Sequence, residues 1–350
     1  RGLGDVYKRQ GMYVEGYITL DSIDSNIDLS IPWLAFYGDW DDAPIFDATY
    51  YDDTYEIYPT IPLGLYISGM LGYPFPLGSY ELFILPDGYE APLASADKIA
   101  LNYEGNNVLY SVSIGLLRSV KELRYEIVDK YTRQSYFNGY ATNVGKTYLN
   151  DSGALVPTQH ELQIEIPQFL VGSNQELEIV ITGVLDTIDQ KEESLVIPLT
   201  LDYEAPTLLD SKVYEKEGRT YLEFEAYDNH YLSYFGLLTE SEAYPDEFEL
   251  ICDNAFPIYD EVRGGNTVVT VDITDYKDKI YNHKLALAIG DYALNESGYL
   301  IEAYEEFITG STSTQDLNKT SYEETKTDQV VTTLNINYMN ATPNLSLIHI

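Results

Sequence analysis

Residues 108–116 read VLYSVSIGL, and the order of polar and apolar side chains in them selects strand over helix. Val108, Tyr110, Val112, Ile114 and Leu116 fall on one face and Leu109, Ser111, Ser113 and Gly115 on the other, the two-residue period of a half-buried strand. ELQIEI at 161–166 repeats the pattern, with Leu162, Ile164 and Ile166 opposite Glu161, Gln163 and Glu165. Similar strands are legible at 121–128, 176–184, 194–201, 220–227, 267–273 and 284–290. Turn formers separate them, among them Asp151-Ser152-Gly153, Gly172-Ser173-Asn174 and Gly264-Gly265-Asn266. No amphipathic helix of ordinary length interrupts the series. Parallel strands would need helical crossovers, so many short strands with one polar face point to an all-β fold of tandem antiparallel β-sandwiches with no sizeable helical domain.

The 350 residues carry 57 Asp+Glu against 20 Lys+Arg, a net charge of −37. Such a surface repels phosphodiester backbones and anionic lipid heads, so neither nucleic acid nor a peripheral membrane surface is an expected partner. It favours solubility and divalent cations. A hydrophobic content of 45% is ordinary for folded domains. Cys252 is the only cysteine, which excludes an intramolecular disulfide and leaves no Cys pair for zinc. The least charged stretch, Tyr58 to Tyr80, holds four prolines and four glycines. Those residues would break a spanning helix repeatedly, so the stretch reads as a tyrosine-rich loop packed on a sheet, and no direct membrane insertion is expected.

Immunoglobulin-type sandwiches run to about 100 residues, which sets the scale for dividing the chain. LTLDYEAPTLLDS at 199–211 is the clearest border: a strand ends, an acidic turn follows, and Pro206 restarts the chain in extended form. A first border falls near Asp41–Asp47, ahead of which 11–40 is the end of a preceding domain. The second sandwich is then 41–203, with a tyrosine-rich loop at 48–80, and the third is 204–309. Residues 310–344 are Ser/Thr-rich and read as a linker or the start of a further module. RGLGDVYKRQ at 1–10 and LSLIHI at 345–350 resemble translated sequencing-adaptor read-through, which implies a fragment of a longer, metagenomic reading frame.

A subtilisin-type triad needs Asp in D-[ST]-G, His in H-G-T and Ser in G-T-S. Asp151-Ser152-Gly153 matches the first as a string, but His160, His230 and His283 are followed by Glu161, Tyr231 and Lys284, and no Gly-Thr-Ser occurs. No catalytic residue is therefore assigned. Metal binding is the live alternative. Asp202, Glu204, Asp228, Asn229, Asp291 and Asn295 lie at strand ends around the 203–206 border, and calcium takes six to eight oxygen ligands from such turns. Asp and Asn also simply cap turns, so both readings stand. Of the 34 tyrosines, Tyr50, Tyr51, Tyr55 and Tyr58 alternate with acids, which suits either stacking against wall glycans or packing at a sheet surface.

GYITLDS at 16–22 with LSIPWLAFYGDWDDAPIFD at 29–47 resembles the end of the fibronectin-III-like domain that follows the protease domain in cell-envelope subtilisin-like serine proteases of the lactocepin type. KIALNYEGNNVLYSVSIGLLRSVKELRYEIVDK at 98–130 is similar to their next sandwich, and IPLTLDYEAPTL, EAYDNHYL and AIGDYALNESGY, at 197–208, 225–232 and 288–299, to the one after. The pieces occur in the same order. The resemblance implies fibronectin-III/immunoglobulin-like sandwiches that are non-catalytic themselves, bracing the parent's own protease domain and spacing it from the cell wall. It implies an extracellular, wall-associated location, and cell-wall polymers or protein substrate as further partners. A stand-alone surface adhesin or glycan-binding array built of similar sandwiches remains the alternative.

Both tryptophans sit in IPWLAFYGDWDDAPIFD at 31–47. Leu29, Ile31, Trp33 and Ala35 alternate with Leu34 and Phe36, which suggests a last strand covered on both faces. Trp33, Phe36, Trp40 and Phe46 are then expected to pack the joint between the first and second sandwiches, with Asp39, Asp41 and Asp42 in a solvated turn.

Overall fold

The computed structural model describes residues 12–20, 29–38, 42–47, 63–67, 74–84, 90–105, 107–149, 155–156, 161–241, 248–255, 263–280 and 283–301, with single positions at 23, 49, 51 and 304. In chain order the strands are β1 (Met12–Leu20), β2 (Leu29–Tyr37), β3 (Leu63–Ile67), β4 (Pro74–Pro76), β5 (Ser79–Ile84), β6 (Glu90–Ala94), β7 (Ala100–Leu101) and β8 (Val108–Ser113). There follow β9 (Val120–Asp129), β10 (Ser135–Val144), β11 (Tyr148–Leu149), β12 (Leu155–Val156), β13 (Glu161–Leu162), β14 (Gln175–Val184) and β15 (Glu192–Leu201). The last seven are β16 (Thr207–Lys216), β17 (Arg219–Tyr227), β18 (Leu232–Glu240), β19 (Phe248–Ala255), β20 (Asn266–Asp272), β21 (Leu285–Asp291) and β22 (Glu296–Leu300). The longest helix among the described residues is one turn, Lys277–Ile280. The molecule is all-β, built of antiparallel sandwiches, as the alternation of the sequence requires.

The second sandwich sets the five-stranded sheet β10-β9-β14-β15-β7 against the four-stranded sheet β13-β8-β3-β4. Its core is aliphatic, with Leu101, Leu116, Ile127, Leu177 and Ile181 fully enclosed. Every ladder in it is antiparallel except the short pairing of β7 with β15. In the third sandwich β16-β17-β20 faces β19-β18-β21-β22. Thr220, Leu222, Phe224 and Ala226 of β17 point inward while their neighbours do not, the period-two burial of a strand with one wet face. Phe224 meets Phe235 of β18 edge-to-face at 5.2 Å across the core. β21 is buried along its whole length, because Leu285, Leu287 and Ile289 face the core while Ala286 and Ala288 are covered with Leu238 on the other side.

Four expectations change. In 108–116 the face is not kept: Leu109 and Ser111 are buried and Tyr110 is 55% exposed, whereas Val112, Ile114 and Leu116 are inside. The cause is a bulge. Leu65 of β3 pairs with Ser111 and Tyr66 with Leu109, so Tyr110 is the extra residue and the strand reverses its faces there. The tyrosine-rich stretch is not loop throughout, since β3 and β4 are sheet members and β5 begins within it. Pro74 and Pro76 are tolerated because β4 is an edge strand paired to β3 alone. Tyr51 packs on the second core and its hydroxyl donates to the Leu77 carbonyl at 3.2 Å, a packing role; Tyr50, Tyr55 and Tyr58 lie outside the described residues.

β1 and β2 pair along their full length, from Met12 with Tyr37 to Leu20 with Leu29. Among the described residues β2 has no second strand beside it, and Ile31, Trp33 and Leu34 are exposed rather than covered on both faces. The Trp33 indole lies over Gly16, where a Cβ would come within 2.8 Å of Nε1. Phe46 is no wedge between domains but part of the second core, bridged to Leu116, with the Ile45 carbonyl accepting from the Leu117 amide. Trp40 and the Phe36 side chain lie outside the described residues, as do Asp39, Asp41 and 151–153.

Candidate metal centre

The second and third sandwiches meet end to end at the connection Asp202–Pro206, and three loops converge there. Asp202 follows β15, and its amide donates to the Leu101 carbonyl on β7, so its backbone belongs to the second sandwich. Asp228 and Asn229 open the β17–β18 loop. Asp291 closes β21, and the chain returns through Leu294, held at φ 63°, to Asn295. The side chains of Asp202, Asp228 and Asp291 are all buried, and an oxygen from each lies within 4.8 Å of the others.

Each carboxylate is oriented by its own loop. Asp202 Oδ1 accepts from the Glu204 amide at 3.1 Å and from Asn229 Nδ2 at 2.9 Å. Asp228 Oδ1 accepts from the His230 amide at 2.7 Å. Asp291 accepts from the amide of Asn295 at 2.8 Å and from its Nδ2 at 2.7 Å, one bond to each carboxylate oxygen. Asp202 Oδ2, Asp228 Oδ2 and Asn229 Oδ1 are buried and accept no hydrogen bond.

Burial drives the electrostatics. It lifts the Asp228 carboxyl to about 7 against the pull of the His230 amide, with the charges of Asp202 and Glu204 adding to the rise. Burial likewise holds Asp291 well above the usual carboxylate range, helped by the charges of Asp228 and Asp202, and raises Asp202. Among the described residues no lysine or arginine forms an ion pair with any of the three. The nearby cation is occupied elsewhere: buried Lys98 lies over the rings of Tyr231 at 4.5 Å and Tyr292 at 5.1 Å, and desolvation lowers it to about 8. The site therefore needs either protons or a metal cation to hold its carboxylates together.

Of the six residues singled out in the sequence, Asp202, Asp228 and Asp291 come together, and Asn229 donates its Nδ2 to Asp202 while its Oδ1 is buried without a donor. Asn295 acts as a positioning group. Its Nδ2 also donates to the Asp202 carbonyl at 3.1 Å, and its Oδ1 accepts from Asn102 Nδ2 of the second sandwich. Glu204 is exposed, and its Oε1 accepts from Asn174 Nδ2 at 2.7 Å. Asn102 and Asn107 escaped sequence reasoning. Asn107 Nδ2 donates to the Ala100 carbonyl at 3.0 Å and the Tyr292 carbonyl at 3.2 Å, which fastens the third sandwich to the second. The string NYEGNN at 102–107 signals a turn, but nothing local tells that its amides face a loop far along the chain. No family model and no curated protein sequence matches the chain.

Proposed function

We propose that this chain is the non-catalytic accessory region of a secreted, cell-envelope subtilisin-like serine endopeptidase, bracing the protease domain and spacing it from the wall. The observation that carries the reading is the joint. Two sandwiches, each with its own core, are fastened end to end by Asn102, Asn107 and Asn295, by the Tyr231 hydroxyl on Asp97 at 2.8 Å and by Arg263 on Glu176 at 3.1 Å. A spacer must transmit position, and the buried amide contacts of Asn102, Asn107 and Asn295, with the more exposed Tyr231–Asp97 and Arg263–Glu176 pairs, restrict the angle between the domains. The strand order of the third sandwich supports the fibronectin-III-like resemblance, since of the seven strands among its described residues the first, second and fifth form one sheet and the other four form the second.

The reading predicts a protease domain with an Asp/His/Ser triad encoded immediately upstream in the same reading frame. A complete upstream sequence lacking that triad overturns it. At the protein level, this region expressed with that domain should raise its thermal midpoint, and an unchanged midpoint removes the bracing role. The adhesin alternative needs exposed tyrosine platforms: Tyr51 is spent on core packing, Tyr55 lies outside the described residues, and Tyr17, Tyr131 and Tyr140 stand exposed, so saturable binding of this region to wall polysaccharide, lost on replacing exposed tyrosines, would favour it.

A further inference from the structure

We propose that the joint between the second and third sandwiches binds one calcium ion, held by the carboxylates of Asp202, Asp228 and Asp291 with the Asn229 amide oxygen, and that the ion makes the two sandwiches one rigid body. This inference is independent of the protease reading.

Geometry comes first. Oxygens that share one calcium at roughly 2.4 Å can be at most about 4.8 Å apart. The three carboxylates fall within that limit, with an oxygen from each inside 4.8 Å of the rest. Three buried acceptors, Asp202 Oδ2, Asp228 Oδ2 and Asn229 Oδ1, have no hydrogen-bond donor, although Asp202 is 0% exposed and Asp228 2%. Buried polar groups are nearly always satisfied, and an orphaned acceptor costs free energy until something supplies positive charge or a proton. A proton on one carboxyl oxygen can be donated to a single neighbouring acceptor, so protonation serves these oxygens pairwise at best. A cation satisfies all three at once.

The donor set chooses the ion. It is all oxygen, with no thiolate or imidazole in the cluster, which favours a hard cation over zinc or copper. Magnesium demands a tight octahedron and keeps much of its water, whereas calcium accepts irregular sets of six to eight oxygens. Donors brought by three separate loops into a buried space suit the second description. Both oxygens of Asp291 accept from Asn295, the outer-shell support that fixes a ligating carboxylate. The bridging role follows from connectivity: Asp202 is bonded through its backbone to β7 of the second sandwich, while Asp228 and Asp291 belong to the third.

The test uses the full chain, stripped with chelator and titrated calorimetrically with calcium chloride and with magnesium chloride. One tight equivalent of calcium per chain is expected, with Kd below about 10⁻⁴ M, set apart from weak binding by surface acids, and magnesium at least ten-fold weaker. At a calcium concentration about a hundred-fold above Kd the midpoint of the third sandwich should rise by about 5 °C or more. Asp228→Asn should stay folded, its chelated midpoint no lower than wild type, and lose the tight equivalent; Asp291→Asn should weaken it at least ten-fold. Absence of the tight equivalent in the wild type, or its survival in Asp228→Asn, overturns the site. Calcium should also slow proteolytic cutting at Asp202–Pro206 at least ten-fold. Binding with unchanged cutting overturns the rigid-body claim.

Discussion

Asn102, in the turn after β7, donates its side-chain amide to the side-chain oxygen of Asn295, 193 positions further along, and both residues are buried. Asn102 Oδ1 meanwhile accepts from the amides of Glu104 and Gly105, both at 2.8 Å, so a turn in one sandwich is shaped by the same side chain that holds a loop of the other. Local folding and domain docking therefore share one residue.

Replacing Asn295 by Ala strips donors from Asp291 and Asp202 and an acceptor from Asn102 in one step. Leaving several buried polar groups unpaired should cost about 2–4 kcal/mol. Chemical denaturation should show this loss in the third sandwich, and small-angle scattering of the variant should show a wider spread of interdomain angles. A loss under about 0.5 kcal/mol would mean that water replaces these bonds without penalty.

In chelator the joint should weaken as pH rises. The folded Asp228 carboxyl keeps its proton up to about 7 while its ordinary value is 3.8, so the folded state binds more protons in between. The stability from that proton is complete below the ordinary value and is lost as pH climbs through about 7. Asp202 and Asp291, also raised, act in the same direction. His230, buried and lowered to about 4, acts oppositely, charging in the unfolded chain first as pH falls through 6.5. Subtracting the midpoint of Asp228→Asn from that of the wild type cancels the histidine. The difference should become steadily more negative from pH 5 to pH 8, and a flat difference would show that Asp228 does not titrate in this window.

The bulge in β8 makes a prediction opposite to simple alternation. Tyr110→Thr should change stability by less than about 0.5 kcal/mol, as at other exposed sites. Leu109→Ala, on the face that strict alternation would turn outward, should cost about 2–4 kcal/mol, because Leu109 is 9% exposed and joins the second core. Equal costs at the two positions would place the face reversal elsewhere.

Two glycines with left-handed backbones separate strain from collision. Gly218, at φ 76°, faces open space where a Cβ would stand, with nothing within 4 Å, and Gly218→Ala should cost about 1 kcal/mol from backbone alone. Gly78, at φ 73°, would place its Cβ 2.3 Å from the Ser95 carbonyl oxygen. Gly78→Ala should cost well above that, and the Ser95 amide, which donates to the Gly78 carbonyl at 3.0 Å at the base of the β5–β6 hairpin, should lose exchange protection.

The strands at 121–128, 176–184, 194–201, 220–227 and 267–273 were legible because one more buried face imposes period two, 284–290 as a short apolar run covered on both faces, and ELQIEI keeps its alternation even where only Glu161 and Leu162 are ladder-paired. Tyr110 was not legible, because a bulge is set by the partner strand. β4 was hidden by its prolines, which break central strands but not an edge, and β3 by the glycines and prolines around it, although it sits between β8 and β4. The acids of the joint announced themselves by type and position at strand ends. Their asparagine supports did not, since hydrogen bonds across domains depend on how two finished sandwiches dock.

The Asp202–Pro206 connection has an ownership problem that bears on any dissection of this chain. A cut between Tyr203 and Glu204, where composition marks the border, leaves Asp202 and its bond to Leu101 on one piece and Asp228, Asn229, Asp291 and Asn295 on the other. The same cut parts Asn174 from Glu204. Each piece would carry a complete core and an incomplete end, fold, and give the wrong answer about cations. The modular unit of this protein is thus larger than its sandwich, and recombination that shuffles single sandwiches at that border would discard a property that neither half owns.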